Sequence, residues 1–257
     1  MDLTLFQQIF DRAPIFLLVL FRFGGMVTLA PLLGATTIPI KVRLLLVLTL
    51  SIAVFPLVPP VAVVPQSFPA LAVAVGGEIL IGITMGFALS LLFMGIQLGA
   101  ELISYQMGFA MARLIDPMSQ VSTTVLSQFY LLLTTLIYVL QQGHLILISR
   151  LAHTFRTVPL LAGFEPQRAL RMIVLIITEA FQLGIRIAGP AVVALFLSSL
   201  ALGFISRTMP QLNILAAGFP VRITLGMLIL VVSIGTVNWV FTAGLARVFA
   251  HIGELFV

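Results

Sequence analysis

Residues 70–98 read ALAVAVGGEILIGITMGFALSLLFMGIQL, a run whose only ionisable side chain is Glu78. A bilayer's hydrocarbon core of about 30 Å is crossed by about 20 helical residues, so this run is long enough to span. Apolar residues fall on every face with no period-two alternation, which predicts a helix and not the strand of a lipid-facing barrel. On that helix Glu78, Gly82, Gly86 and Ser90 recur every fourth residue. Such spacing makes one ridge of little side-chain volume, along which another backbone can approach closely. The acid at its head requires a partner: Arg22, or a base on another subunit.

The whole chain shares this character. Of its 257 residues 61% are hydrophobic and 8% charged, against about a quarter charged in soluble domains, and the mean hydropathy is +1.23. The fold class is therefore an all-α membrane protein, with room for about six spanning segments. The net charge is +5, and twelve of the thirteen bases are arginines placed in connections or inside apolar runs. That placement marks topology and buried pairing, not nucleic-acid binding. Cysteine is absent, which removes disulfides, thiol chemistry and Cys-ligated metal or cofactor sites. The N-terminus has no basic leader region and no small-residue cleavage site before Arg22, so the first apolar segment is expected to be retained.

Immediately after the opening stretch, residues 99–122 read GAELISYQMGFAMARLIDPMSQVS. Ala100, Ser104, Gly108 and Ala112 form a second small-residue ridge, beside which stand Ile103, Met107 and Met111, with Phe109 on another side. Glu101 and Arg113 are charges that hydrocarbon would not tolerate unpaired. Pro117 disfavours helical geometry at Asp116, so the helix is expected to end near Ile115, with Arg113 and Asp116 close enough to pair. Ser119, Gln120, Ser122 and Thr123 supply turn and N-cap chemistry for a following helix.

Outward from this centre, apolar segments are expected at 13–35, 44–55, 123–149, 172–206 and 223–250. Arg22, in the first of them, must face protein, water or an acid such as Glu78 or Glu101. Five prolines between Pro56 and Pro69 predict an extended connection. Residues 150–171 predict an exposed basic connection, Pro190 a kink, and residues 207–222 a polar hinge. If all six segments cross once, the basic links 41–43 and 207–222 lie on one side and the equally basic 150–171 on the other. The positive-inside rule disfavours that arrangement, so either some segments are hairpins that do not cross or assembly with partners overrides the rule, and the small-residue ridges favour hairpins.

No hydrolase, Walker, zincin or dinucleotide fingerprint occurs, and the three histidines are not spaced for a metal, so no enzyme, cofactor or metal site is expected. A proton-coupled secondary transporter using Glu78, Glu101, Asp116 or Glu179 would be expected to carry inverted repeats, and none is evident.

The run AELISYQMGFAMARLIDP resembles the signature of the FliR/SctT family of type III export gate subunits. RFGGMVTLAPLLGATTIPIKVRLLL, GEILIGITMGF, GHLILI and MPQLNILAAGFPVRITLGMLIL extend the resemblance over nearly the whole chain. The QMGF, IDP and MPQLN patterns look flagellar and not like the homologous injectisome subunit. The resemblance implies a multi-pass protein of the bacterial inner membrane and flagellar basal body, assembled with FliP and FliQ, with FlhB as a neighbour and unfolded flagellar proteins as cargo. It implies a FliP-like part over about 1–185 fused to a FliQ-like hairpin over about 186–257. It also implies that the loop at 107–122 plugs the pore through Met107, Phe109, Met111, Asp116, Pro117 and Met118. Methionine and phenylalanine suit that task, being apolar enough to block ions and, in methionine's case, flexible enough to yield.

Overall fold

The structure, a computed structural model, describes residues 3–59, 67–109, 124–161, 165–209 and 214–255, without the side chains of 3–11, 214–217 and 253–255. Among the described residues every regular element is helical. The α-helices are α1 (Leu3–Leu29), α2 (Ile40–Val54), α3 (Phe68–Met107), α4 (Val125–Leu140), α5 (Gly143–Thr157), α6 (Pro166–Thr208) and α7 (Ile214–Leu255), with one 3-10 turn at Phe55–Leu57. Five of these are long and apolar enough to cross a membrane, or six if the bent pair α4 and α5 makes one span. The all-α membrane class is thus the observed one.

Several boundaries differ from the sequence expectation, each for a local reason. Helix α3 ends at Met107 and not near Ile115. Gly108 takes a left-handed φ of +91°, its N–H donates to Tyr105 O at 3.1 Å, and the Phe109 N–H donates to Ser104 O at 3.1 Å. This pair of bonds is the Schellman stop, for which glycine carries no Cβ penalty. A residue read as a packing position is therefore the terminator, and it acts before the proline. The apolar run 123–149 is two helices bent by 62°, with Gln142 at φ 55° between them. Residues 150–157, expected in a connection, continue α5, because Leu147, Leu151, Thr154 and Phe155 bury one face while the charges occupy the other. Pro190 lies within α6 and Pro220 within α7, so the 207–222 hinge shrinks to the few residues between Thr208 and Ile214.

By internal packing the chain divides into two units. One comprises residues 1–91, 139–176 and 247–257. Here the ridge on α3 lies along α1: a Cβ at Gly82 would collide with the carbonyl of Arg22, and one at Gly86 would come within 2.5 Å of Met26 O. The Ser90 hydroxyl donates to Leu29 O. Because these pairs ascend together, α1 and α3 run parallel. Close approach of two backbones replaces the hydrophobic drive that lipid does not provide.

The other unit comprises residues 92–138 and 177–246. In it Gly95 meets the Ala180 backbone, and Gly99 and Gly184 face each other, a Cβ on Gly99 falling 2.6 Å from Gly184 O. Two small-x-x-x-small pairs, Gly95 with Gly99 and Ala180 with Gly184, thus pack α3 against α6 in parallel. The α7 helix runs antiparallel to both, with Gly244 against Leu92 and Leu183 and Gly226 against Met107. Phe93 stands edge-on to Tyr138 and Phe241, both at 5.5 Å between centroids, and closes the interior.

Candidate functional site

The expected plug sequence is rooted where α3 stops and α4 begins. Thr124 precedes α4, and the Ser127 N–H donates to its hydroxyl oxygen at 3.2 Å, an N-cap bond one residue beyond the expected capping run. The same hydroxyl donates to Glu101 Oε2 at 2.8 Å, and Ser127 Oγ donates to that oxygen at 2.5 Å. Since the single proton of Thr124 is thereby used, Ser104, at 2.8 Å, donates to Thr124. Four side chains, two on α3 and two at the start of α4, form one knot, with a carboxylate collecting two hydroxyl protons. The start of α4 is thereby tied to the last two turns of α3.

Around this root Met107 is fully buried, its Sδ lying over Gly226, where a Cβ would come within 2.6 Å. Gly108 faces the ring of Phe219, and Phe109 is half-buried. Ala100 and Ser104 are fully buried. Met111, Ala112, Arg113, Asp116, Pro117 and Met118 lie outside the described residues. Replacing Thr124 with valine removes the cap and two further hydrogen bonds while keeping the shape. The expected loss is about 2 kcal/mol in detergent unfolding of the full chain, and a loss below about 0.5 kcal/mol would show that the knot is not formed.

A second polar centre lies in the other unit. Arg22 is 0% exposed and its Nε donates to Glu78 Oε2. One terminal nitrogen donates to Thr154 Oγ1 at 3.1 Å and to Val158 O at 3.2 Å, and the other donates to Val158 O at 3.2 Å. The guanidinium carbon sits 4.3 Å from the centre of the Phe155 ring. The arginine predicted to need an acid, and the acid predicted to need a base, satisfy each other here. Glu101, the other acid weighed for Arg22, belongs to the knot.

Sequence reasoning missed Thr124, Ser127 and Thr154, because a hydroxyl's partner is set by tertiary approach and not by spacing. It also missed Gly95, Gly99 and Gly184, although the four-residue spacing of small residues was legible there.

Long apolar helices joined face to face by glycine, with buried charges paired inside, define a multi-pass α-helical membrane protein built on close helix contacts. Residues 13–248 match the family described as bacterial export proteins, family 1, and the chain belongs to that family. It is 36% identical to the flagellar biosynthetic protein FliR of Escherichia coli K12 over 212 residues, 81% of this chain and 79% of that protein. It is 26% identical to FliR of Bacillus subtilis 168 over 236 residues, 90% of each, and 28% identical to FliR of Caulobacter vibrioides over 226 residues, 88% and 90%. The protein is a multi-pass membrane component of the flagellar protein export apparatus.

Proposed function

We propose that this chain assembles with FliP and FliQ into the inner-membrane pore through which unfolded flagellar proteins leave the cell, with FlhB as a neighbour. In this reading it is no enzyme, and the segment after Met107 is the plug. The observation that carries the reading is the length of the outward-facing apolar surface on α6. Exposed apolar side chains run from Leu170 to Ile205, about 52 Å at 1.5 Å per residue. A hydrocarbon layer of about 30 Å covers that only at a tilt of about 55°, steeper than the roughly 40° that spanning helices reach. Exposed Arg186 interrupts the same helix halfway along. Lipid therefore covers only part of α6, and the remainder calls for protein neighbours, as expected of a subunit lifted partly out of the bilayer by its assembly.

The close α6 and α7 hairpin fits a FliQ-like part beginning near residue 186, and the preceding helices fit a FliP-like part over about 1–185. For the plug, Met107 serves as the anchor in the interior and the Glu101 knot holds the two ends of the segment. Phe109, Met111, Asp116, Pro117 and Met118 then occupy the pore.

Deleting residues 110–118, outside the knot, tests this. The complex containing FliP and FliQ is expected to co-purify as before, while cells carrying it leak ions across the inner membrane, an effect reversed by restoring the segment. An assembled complex that stays tight would overturn the plug assignment. Failure to co-purify FliP and FliQ with the unaltered chain would overturn the assembly.

A further inference from the structure

The adjoining arms of α5 and α6 carry a charge pattern that neither helix packing nor the plug uses. On α5, Arg150, His153 and Arg156 are exposed and follow one another every third residue, within about 120° of the helix circumference. The opposite arc holds buried Leu147, Leu151 and Phe155. On α6, Arg168 and Arg171 are exposed in the first two turns. Both arms belong to the same packed unit, and residues 158–165 join them. In the two arms flanking this helical corner, residues 143–176, four arginines therefore stand against a single acid, Glu165, whose carboxylate is paired with Arg168 at 2.6 Å. That pair is exposed and leaves Arg150, Arg156 and Arg171 uncommitted to any acid among the described residues.

Moving away from this corner, both exposed faces turn apolar. On α5 the outward apolar positions before Arg150 are Leu145 and Ile146, 51% and 38% exposed, and on α6 Leu170, Val174 and Leu175 are 63%, 55% and 51% exposed. Two helices that share a basic end and carry outward hydrocarbon beyond it reproduce the profile of a bilayer surface, where acyl chains meet phosphate headgroups. An acidic protein would match the arginines but would not account for apolar faces beginning within a turn of them on both helices.

We propose that the corner formed by Arg150, His153, Arg156, Arg168 and Arg171 binds the headgroups of anionic phospholipid, with the acyl chains lying on Leu145, Ile146, Leu170, Val174 and Leu175. The guanidinium groups take the phosphate oxygens as bidentate donors. This corner then sets the depth of the unit in the membrane, placing α6 from Met172 onward in hydrocarbon. The assignment stands whether or not the plug assignment does, because it uses no residue of the 107–122 segment.

The test uses the full chain, in the complex with which it purifies, in detergent. It is incubated with equal amounts of phosphatidylglycerol and phosphatidylcholine of identical acyl composition and repurified, and the retained lipids are counted by mass spectrometry. Retained phosphatidylglycerol is expected to exceed phosphatidylcholine. The quadruple variant Arg150→Gln, Arg156→Gln, Arg168→Gln, Arg171→Gln is expected to lower that preference about tenfold. The same four positions changed to Lys keep most of it, and Arg207→Gln, near the opposite end of α6, keeps all of it. Equal retention of the two lipids by the unaltered chain, or an undiminished preference in the glutamine variant, overturns the proposal. So does a glutamine variant that keeps its lipid preference and instead loses another subunit on purification, which would make the corner a protein-docking surface.

Discussion

Arg22→Met is expected to destabilise the chain by about 3–5 kcal/mol, the range for removing one partner of a buried ion pair. The substitution keeps a long apolar stem but strips every acceptor of its donor. Glu78, 3% exposed, loses the guanidinium that balances its charge, and the Val158 carbonyl loses two N–H groups at once. The contact with the face of Phe155 is lost as well. The double variant Arg22→Met with Glu78→Leu separates the two contributions. Desolvating both ions offsets much of their mutual attraction, so the double variant should recover most of the loss, and a large coupling in the double-mutant cycle is the expected signature. Detergent unfolding of the four proteins measures it. Additive losses would mean that the two residues act separately.

Gly184→Leu carries the second large effect. Gly184 faces Gly95 O, where even a Cβ would come within 2.6 Å, and the opposing atom is backbone that no rotamer change can move. Each additional carbon must push α6 away from α3. Across Gly95, Gly99, Ala180 and Gly184 the packing contacts are lost together, and in lipid no hydrophobic drive returns them. Loss at or above the upper end of the about 1–3 kcal/mol typical of overpacking is expected, with failure to accumulate in the membrane as the cellular reading. Gly189→Leu, at a position on the same helix where a Cβ meets nothing within 4 Å, is the matched control and should be tolerated. Equal behaviour of the two variants would show that the close crossing does not hold α6 in place.

Length, hydrocarbon content and the spacing of small residues are readable in the sequence itself, because a bilayer imposes them on each segment separately. A helix in lipid must satisfy its own backbone, so long apolar runs such as 70–98 and 172–206 declare themselves wherever they pack. The ridge from Glu78 to Ser90 was legible for the same reason: a period of four on one helix is a property of that helix alone. The need of Arg22 for an acid was equally plain, since an unpaired guanidinium in hydrocarbon is costly in any fold.

Which acid answers Arg22 was decided only by three dimensions. Glu78 and Glu101 lie on the same helix, α3, and both were open to it. The choice follows from how far along α3 helix α1 packs, and that register is set by Gly82 and Gly86 lying against Arg22 and Met26. The stop at Gly108 was hidden for a related reason: a glycine in a small-residue ridge and a glycine in a Schellman turn look identical in one dimension, and only the φ of +91° separates them. The knot of Glu101, Ser104, Thr124 and Ser127 joins residues on either side of a segment whose sequence does not state that its ends meet. Hydrogen bonds of that kind depend on position to within a few tenths of an ångström, and that precision comes from the packing of whole helices and not from any local stretch of the chain.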